Sequence, residues 1–132
     1  NIIRRVPILP LFGDGGVRLQ PVHARDVAKA VAKIPNFTGS RGRVFELGGP
    51  DVFTYREILQ RLARRCGKGR VLLPVPYWFW RSIAATMTIL PTPPITPAQV
   101  ALMQRDNVVG DNVSTFSDLA IDPRSAIAMG LV

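Results

Sequence analysis

The chain has 132 residues, enough for one modest domain with a hydrophobic core, and its 47% apolar content excludes a disordered tail. Seventeen basic and nine acidic residues give a net charge of +8, which favours an anionic partner: nucleic acid, a phosphorylated cofactor, acidic lipid or an acidic protein. The densest basic group, within 61–70, lacks the interleaved aromatic residues of single-strand binders, so we expect a solvated helix face and no nucleic-acid partner.

The single cysteine, Cys66, excludes an internal disulfide and favours a reducing compartment. Because no second soft ligand accompanies it, the sequence predicts no metal site. The first residues lack the long apolar core and small-residue cleavage site of a secretory signal, so we expect a cytoplasmic location.

The first half of the chain predicts three strands and one helix. An apolar run over 6–12 is closed by turn-forming residues at 13–16, and 17–22 alternates like a strand at an edge or an end. A helix follows His23 and stops at Pro35, and 43–48 predicts the third strand. The apolar stripe of the helix is Val27, Ala28, Val31 and Ile34.

A capping box predicts the start of the next helix, with the Thr54 hydroxyl and the Glu57 carboxylate each bonding the other residue's backbone amide. This helix is expected to end near Gly67, before a short apolar strand at 71–75. Its inward positions are Ile58, Leu59, Leu62 and Ala63.

A second capping box, Thr96 with Gln99, has Pro97 at the favoured first helical position and predicts a helix to about Gln104. The chain beyond Asp106 is rich in turn residues, and a last helical fragment is expected near Ser125–Met129. The element order predicts an α/β or α+β architecture in which four strands form part of a sheet.

The aromatic stretch at 74–91 holds both tryptophans. Its prolines leave about fourteen helical residues, fewer than the roughly twenty that span a bilayer. One apolar stripe predicts a core helix, and the alternative is a surface that docks on a partner or a membrane, with Tyr77 and Trp78 as its candidates. The stripe is Trp80, Ile83, Ala84, Met87 and Leu90.

Catalytic motifs are scarce. The carboxylates are scattered, with Glu57 used as a cap partner and Asp26 favouring a helix N-terminus, and neither a phosphate loop nor a Gly-x-Gly-x-x-Gly fingerprint occurs. For His23, the only histidine in the sequence, the first interpretation is a structural role in which its ring nitrogens are hydrogen-bonded within the protein. The functional reading places Gln20 and His23 in a cleft at the carboxyl end of a strand, where open α/β sheets bind ligands.

Four stretches together resemble a known family: ILPLFGDGGVRLQPVHARDVAKAV, VFELGGPDVFTYREILQRLAR, LLPVPYWF and PITPAQVALMQRDNVV. They are similar to the C-terminal third of extended or atypical short-chain dehydrogenase/reductase proteins of the NAD-dependent epimerase/dehydratase-like group. The branch they resemble most contains the NAD(P)H-binding accessory subunit of respiratory complex I. The resemblance covers nearly the whole chain.

The resemblance implies an α/β fold: the last sheet strands and small helical substrate lobe of a Rossmann-type NAD(P)-binding protein, with 1–132 as a single C-terminal portion. The family binds NAD or NADP through an N-terminal Rossmann half absent from this sequence, so we expect no cofactor on this chain alone. The family's Tyr-x-x-x-Lys pair is also absent, because Leu59 and Arg81 stand where lysine would follow Tyr55 and Tyr77.

By the same resemblance, Gln20 and His23 border the substrate cleft, with Arg18 a further candidate at a spacing that differs from sugar-nucleotide epimerases. The expected partners are the Rossmann half of the same protein and complex I subunits or the inner-membrane surface, with self-association if apolar surface stays uncovered. Two functions stay open: a cofactor-holding module of complex I, or an NAD(P)-dependent epimerase, dehydratase or reductase whose catalytic residues are encoded upstream.

Overall fold

A computed structural model describes residues 8–65, 71–127 and 130, and it confirms a mixed α/β architecture. The strands are β1 (Ile8–Phe12), β2 (Arg18–Leu19), β3 (Phe53–Thr54) and β4 (Val71–Val75). The α-helices are α1 (Ala24–Lys33), α2 (Tyr55–Arg65), α3 (Tyr77–Met87) and α4 (Pro97–Leu102), and a 3-10 turn covers Ile34–Asn36.

The chain divides into two compact units. Unit 1 comprises 1–18 and 54–106 and contains β1, β4 and the helices α2, α3 and α4. Unit 2 comprises 19–53 and 107–132 and contains α1 with its 3-10 turn. The short strands β2 and β3 pair with each other.

Strands β1 and β4 form a two-stranded parallel sheet, in register from Ile8 opposite Val71 to Phe12 opposite Val75. Parallel neighbours need a crossover connection, and α2 lies in the chain between them. Leu9 and Leu11 on one face are buried. On the other face Ile8, Val71 and Leu73 are exposed, so this sheet is covered on one side only within unit 1.

The helices of unit 1 begin where the sequence predicts. At α2 the Thr54 amide donates to Glu57 Oε2 at 2.8 Å and the Glu57 amide donates to Thr54 Oγ1 at 3.2 Å. The same reciprocal pair joins Thr96 and Gln99 at α4, which ends at Leu102, two residues before the predicted end. The predicted stop at Gly67 lies outside the described residues.

Helix α3 packs one side on unit 1, as predicted for a core helix. Ala84 is fully buried, and the Trp80 indole N–H donates to the Leu11 carbonyl at 3.0 Å. The rings of Trp80 and Phe12 are 4.5 Å apart. Leu90 lies beyond the helix end and is exposed, so its predicted place in the buried stripe is wrong.

The core of unit 2 consists of Ala30, Phe116 and Leu119, against which Val27 and Ile34 pack. The core side of α1 therefore follows Val27, Ala30 and Ile34, and the predicted inward positions of Val31 and Ala28 are wrong because both are exposed.

The predicted strand at 43–48 is also wrong. In this segment an isolated bridge joins Phe45 to Ser114. The Glu46 carboxylate accepts the Gly110 backbone N–H at 2.8 Å, so this contact is made by a side chain and not by backbone pairing between strands. The predicted strand at 17–22 shrinks to Arg18–Leu19, and β3 was not anticipated. Residues 125–127 of the predicted last helix are not helical, and 128–129 lie outside the described residues.

Candidate functional site

Gln20 is the central polar side chain of unit 2. Its amide nitrogen donates to the Gly49 carbonyl at 2.7 Å, and its amide oxygen accepts the Val109 backbone N–H at 2.8 Å. One side chain thus joins the segments that contain residues 20, 49 and 109. Since both ends of the amide are engaged with backbone, Gln20 forms a rigid wall, and binding a ligand through the amide would break an internal hydrogen bond.

Two glycines let these segments approach. A Cβ on Gly48 would lie 2.5 Å from Gln20 Cδ, and a Cβ on Gly49 would lie 2.0 Å from the Pro21 carbonyl oxygen. Real Cβ atoms do not come so close to other heavy atoms, whether the Gln20 side chain at Gly48 or the backbone at Gly49, so the Gly48-Gly49 pair serves a close approach of chain segments. It does not form part of a nucleotide-binding fingerprint.

Gln20 lines a cleft of 440 Å³ in unit 2, together with Val22, Glu46–Gly48 and Asn107–Val109. A second cleft, of 320 Å³, shares Gln20 and is closed by 115–117 and 121–123. Gln20 therefore borders two cavities, and that either of them binds a substrate stays a prediction.

His23 is the N-cap of α1. Its Nδ1 accepts the Arg25 backbone N–H at 3.1 Å and lies 3.1 Å from Nη2 of Arg124. Arginine only donates, so Nδ1 is an acceptor for both groups and a neutral ring carries its proton on Nε2. The contacts of this imidazole nitrogen are structural.

Asp26 is fully buried and binds Arg124. The Arg124 guanidinium reaches Asp26 Oδ1 at 2.8 Å, and the Arg124 backbone N–H donates to Oδ2 at 3.0 Å. Lys29 adds a longer ion pair at 3.8 Å. The hydrogen bonds from Arg124, side chain first and backbone second, lower the pKa of Asp26 to about 2. The pair fastens the segment around residue 124 to α1.

Arg18 belongs to unit 1, whereas Gln20 and His23 belong to unit 2. Both the backbone N–H and the guanidinium of Arg18 bind Asp106, at 2.8 Å and 2.7 Å. These bonds, the backbone one first, lower the pKa of Asp106. The structure thus gives Arg18 an exposed carboxylate partner within its own unit.

The two aromatic candidates for docking differ in exposure. Tyr77 is half-buried over Gly13, and its hydroxyl donates to the Met103 carbonyl at 2.8 Å. Burial, with a smaller effect from Asp14, raises the pKa of Tyr77. Trp78 is 68% exposed and meets Phe79 edge to face, with ring centroids 5.9 Å apart.

Within the described part of the chain, no three His, Cys, Asp or Glu side chains are grouped so as to hold a metal ion. In the same residues no helix is long and apolar enough to cross a membrane. Sequence reasoning missed Arg124 and assigned Asp26 only a helix-end role. An acidic residue in the first turn of a helix signals that role, whereas its arginine partner lies 98 positions away.

No family model matches the sequence. The chain is, however, similar to curated subunits of NADH-ubiquinone oxidoreductase, which confirms the similarity to complex I subunits expected from the motifs. It is 32% identical to NADH dehydrogenase (ubiquinone) 1 alpha subcomplex subunit 9, mitochondrial, of Arabidopsis thaliana, over 92% of this chain and 33% of that protein. It is 30% identical to the NADH-ubiquinone oxidoreductase 40 kDa subunit, mitochondrial, of Neurospora crassa, over 80% of this chain and 28% of that protein. The chain thus spans about a third of the length of these relatives.

Proposed function

We propose that this chain is the C-terminal, partner-binding portion of a short-chain dehydrogenase-like subunit of respiratory complex I. In the whole protein an upstream Rossmann half holds NAD or NADP, and the nucleotide is kept without turnover. The observation that carries the proposal is the similarity to complex I subunits over 92% of the chain at 32% identity. Both relatives are named as mitochondrial, which supports a mitochondrial location.

The uncovered face of the β1–β4 sheet supports an upstream partner. Parallel sheets are normally covered on both faces and have more than two strands. Here Val71 is 64% and Leu73 50% exposed on the face that Ile8 shares. An upstream Rossmann half that covers this face would remove these side chains from water. Self-association through the same face is the outcome expected when that half is missing.

The cleft of unit 2 supports a holding function better than a catalytic one. Gln20 is the site residue that lines it, but its amide is bound on both sides to backbone. His23 uses Nδ1 for a helix cap, and Arg18 uses its guanidinium for Asp106. We therefore propose that Gln20 shapes the cleft wall and that substrate or cofactor contacts come from the upstream half.

The test uses the full-length gene product, tagged and expressed in its own host. After gentle solubilisation of membranes, it is expected to migrate with NADH dehydrogenase activity on a native gel. When the purified protein is denatured, about one NAD or NADP per chain is expected in the supernatant. A protein that migrates alone and turns over NAD(P)H with a small substrate would instead establish the epimerase, dehydratase or reductase alternative.

A second arm uses the 132-residue chain by itself. Without an upstream helix N-terminus to hold the pyrophosphate, titration with NADH or NADPH is expected to give no binding in the micromolar range. Micromolar affinity on this chain would contradict the assignment of the nucleotide to the upstream half.

A further inference from the structure

Several large apolar side chains are exposed along α3 and the segment that follows it. We name this set, with the one cation among it, the α3 outer surface: Trp78, Phe79, Arg81, Ile89 and Leu90. Trp78 is 68% and Ile89 is 89% exposed, at opposite ends of the segment. Singly exposed apolar residues are ordinary, but four within the thirteen positions 78–90, two in α3 and two just beyond its end, indicate a surface with an apolar partner.

The hydroxyl groups of the same segment donate to carbonyl groups of that segment. Ser82 donates to the Trp78 carbonyl at 3.0 Å, and Thr86 donates to the Ile83 carbonyl at 2.9 Å. Thr88 donates in the same way to the Ala85 carbonyl at 2.6 Å. Hydroxyl groups satisfied by their own helix need no water partner, so this segment can enter an apolar medium at low cost.

The unit that carries this surface has an excess of basic residues in its sequence, and Asp14 is an acidic group near Tyr77 at the start of α3. From residue 58 to residue 105 the sequence contains no acidic side chain and seven basic ones: Arg61, Arg64, Arg65, Lys68, Arg70, Arg81 and Arg105. Unit 1 as a whole has eleven basic and three acidic residues, a net charge of +8, while unit 2 has six of each and is neutral. The entire positive charge of the chain therefore belongs to the unit that carries the α3 outer surface.

The partner that matches these features is a broad anionic surface with an apolar layer beneath it. At 11 residues α3 is far too short to span a bilayer, so it would lie in the plane of the interface. Tryptophan and phenylalanine favour that depth, and diffuse positive charge is attracted to acidic headgroups without needing a fixed geometry. An acidic protein patch would more often be met by paired, fixed polar contacts.

We propose that the α3 outer surface binds an anionic lipid surface, with Trp78 and Phe79 inserted at the boundary between headgroups and acyl chains. This inference goes beyond the proposed function and rests on unit 1 alone. Membership of complex I does not enter the argument.

The test is vesicle co-sedimentation of the 132-residue chain. We expect binding to vesicles of equal parts phosphatidylcholine and phosphatidylglycerol that is about tenfold or more tighter than to phosphatidylcholine alone. Binding should weaken as salt rises from about 0.05 M to 0.5 M, because the Debye length shrinks. Equal binding to both vesicles, or binding to neither, would overturn the proposal.

Matched variants locate the contact. Trp78→Ser with Phe79→Ser is expected to weaken binding to the anionic vesicles by about tenfold or more, since two inserted side chains are lost. Val31→Ser with Val44→Ser removes two apolar side chains that are exposed in unit 2 and should leave binding unchanged. Arg81→Gln should weaken binding about fivefold, and Arg41→Gln in unit 2 should not.

Fluorescence supplies a second readout that does not depend on the folding of the serine variants. Bound chain should show a blue-shifted emission from Trp78, and Trp78→Phe should keep binding while losing that shift. If the chain ignores vesicles but Trp78→Ser releases the full-length protein from complex I, the surface binds a protein subunit and the lipid proposal is wrong. If it binds vesicles but the full-length protein never joins complex I, the proposed function fails and the lipid inference stands.

Discussion

Units 1 and 2 differ in how much of their described structure is regular and how much is joined by polar side chains. Among the described residues, unit 1 contains β1, β4 and the helices α2, α3 and α4, and its buried apolar side chains include Leu11, Ala84 and Val100. In the described part of unit 2 the helical structure is α1 with its 3-10 turn, and side chains of Gln20, Asp26, Glu46 and Asp51 join segments at least 29 positions apart. Periodic sequence patterns encode the regular elements and leave the polar contacts unmarked.

The same division separates charge. Four of the six carboxylates of unit 2 accept hydrogen bonds within the unit, and its net charge is zero. Unit 1 retains a charge of +8. An excess of one sign favours an oppositely charged partner, so we expect unit 1 to attract an anionic partner more strongly than unit 2.

The strongest test of the polar organisation of unit 2 is Gly49→Ala. Its Cβ would lie 2.0 Å from the Pro21 carbonyl oxygen, a backbone atom that cannot move alone, so we expect a loss of about 3 kcal/mol or more in the free energy of unfolding. Gly110→Ala is the matched control, because its Cβ would meet only Glu46 Oε2 at 3.6 Å. Urea unfolding should place the control within about 0.5 kcal/mol of wild type. Equal stability of the two variants would contradict the close approach.

Apolar packing in unit 1 is tested by Leu11→Ala. Leu11 is fully buried, and truncation leaves a cavity between β1 and its neighbours, so we expect a loss of about 3 kcal/mol in the free energy of unfolding. The control, Leu102→Ala, removes a side chain that is 72% exposed and should cost less than about 0.5 kcal/mol. A small effect at Leu11 would mean that unit 1 does not depend on this core.

The buried ion pair of unit 2 is tested by pH. The pKa of Asp26 is lowered from 3.8 to about 2, so its contribution to stability is complete above about pH 4 and is lost as the pH falls through about 2. Asp26→Asn should lower the Tm by roughly 5–10 °C at neutral pH, because Arg124 loses its carboxylate. The difference in Tm from wild type should shrink between about pH 4 and pH 2. The exposed Asp111→Asn serves as control and should show little change; a constant difference for Asp26→Asn at every pH would contradict the assignment.

The sequence predicts the regular elements of unit 1 better than the polar contacts of unit 2. The capping boxes, the strand at Val71–Val75 and the α3 core side are local or periodic, and the structure places them as expected. The strand expected at 43–48 fails because Glu46 and Phe45 bond to the segment around 110–114, which no local pattern reveals. The place of Gln20 in a substrate cleft stays a prediction, and no local pattern reveals that its amide bonds to backbone at Gly49 and Val109.

The smallest effect is expected at a helix cap of unit 1, where periodic structure is reinforced by one local motif. The Thr96 hydroxyl accepts the Gln99 amide at 3.3 Å, and the Gln99 side chain accepts the Thr96 amide at 2.9 Å. Thr96→Ala removes the first bond and should cost about 1 kcal/mol, while the exposed Thr92→Ala, four residues earlier, should be neutral. Since α4 has only 6 residues and packs on α3, loss of the cap should also raise amide exchange within α4. Unchanged stability and exchange would mean that α4 is held by Val100 packing alone, so that the motif which predicts the helix from sequence does not stabilise it.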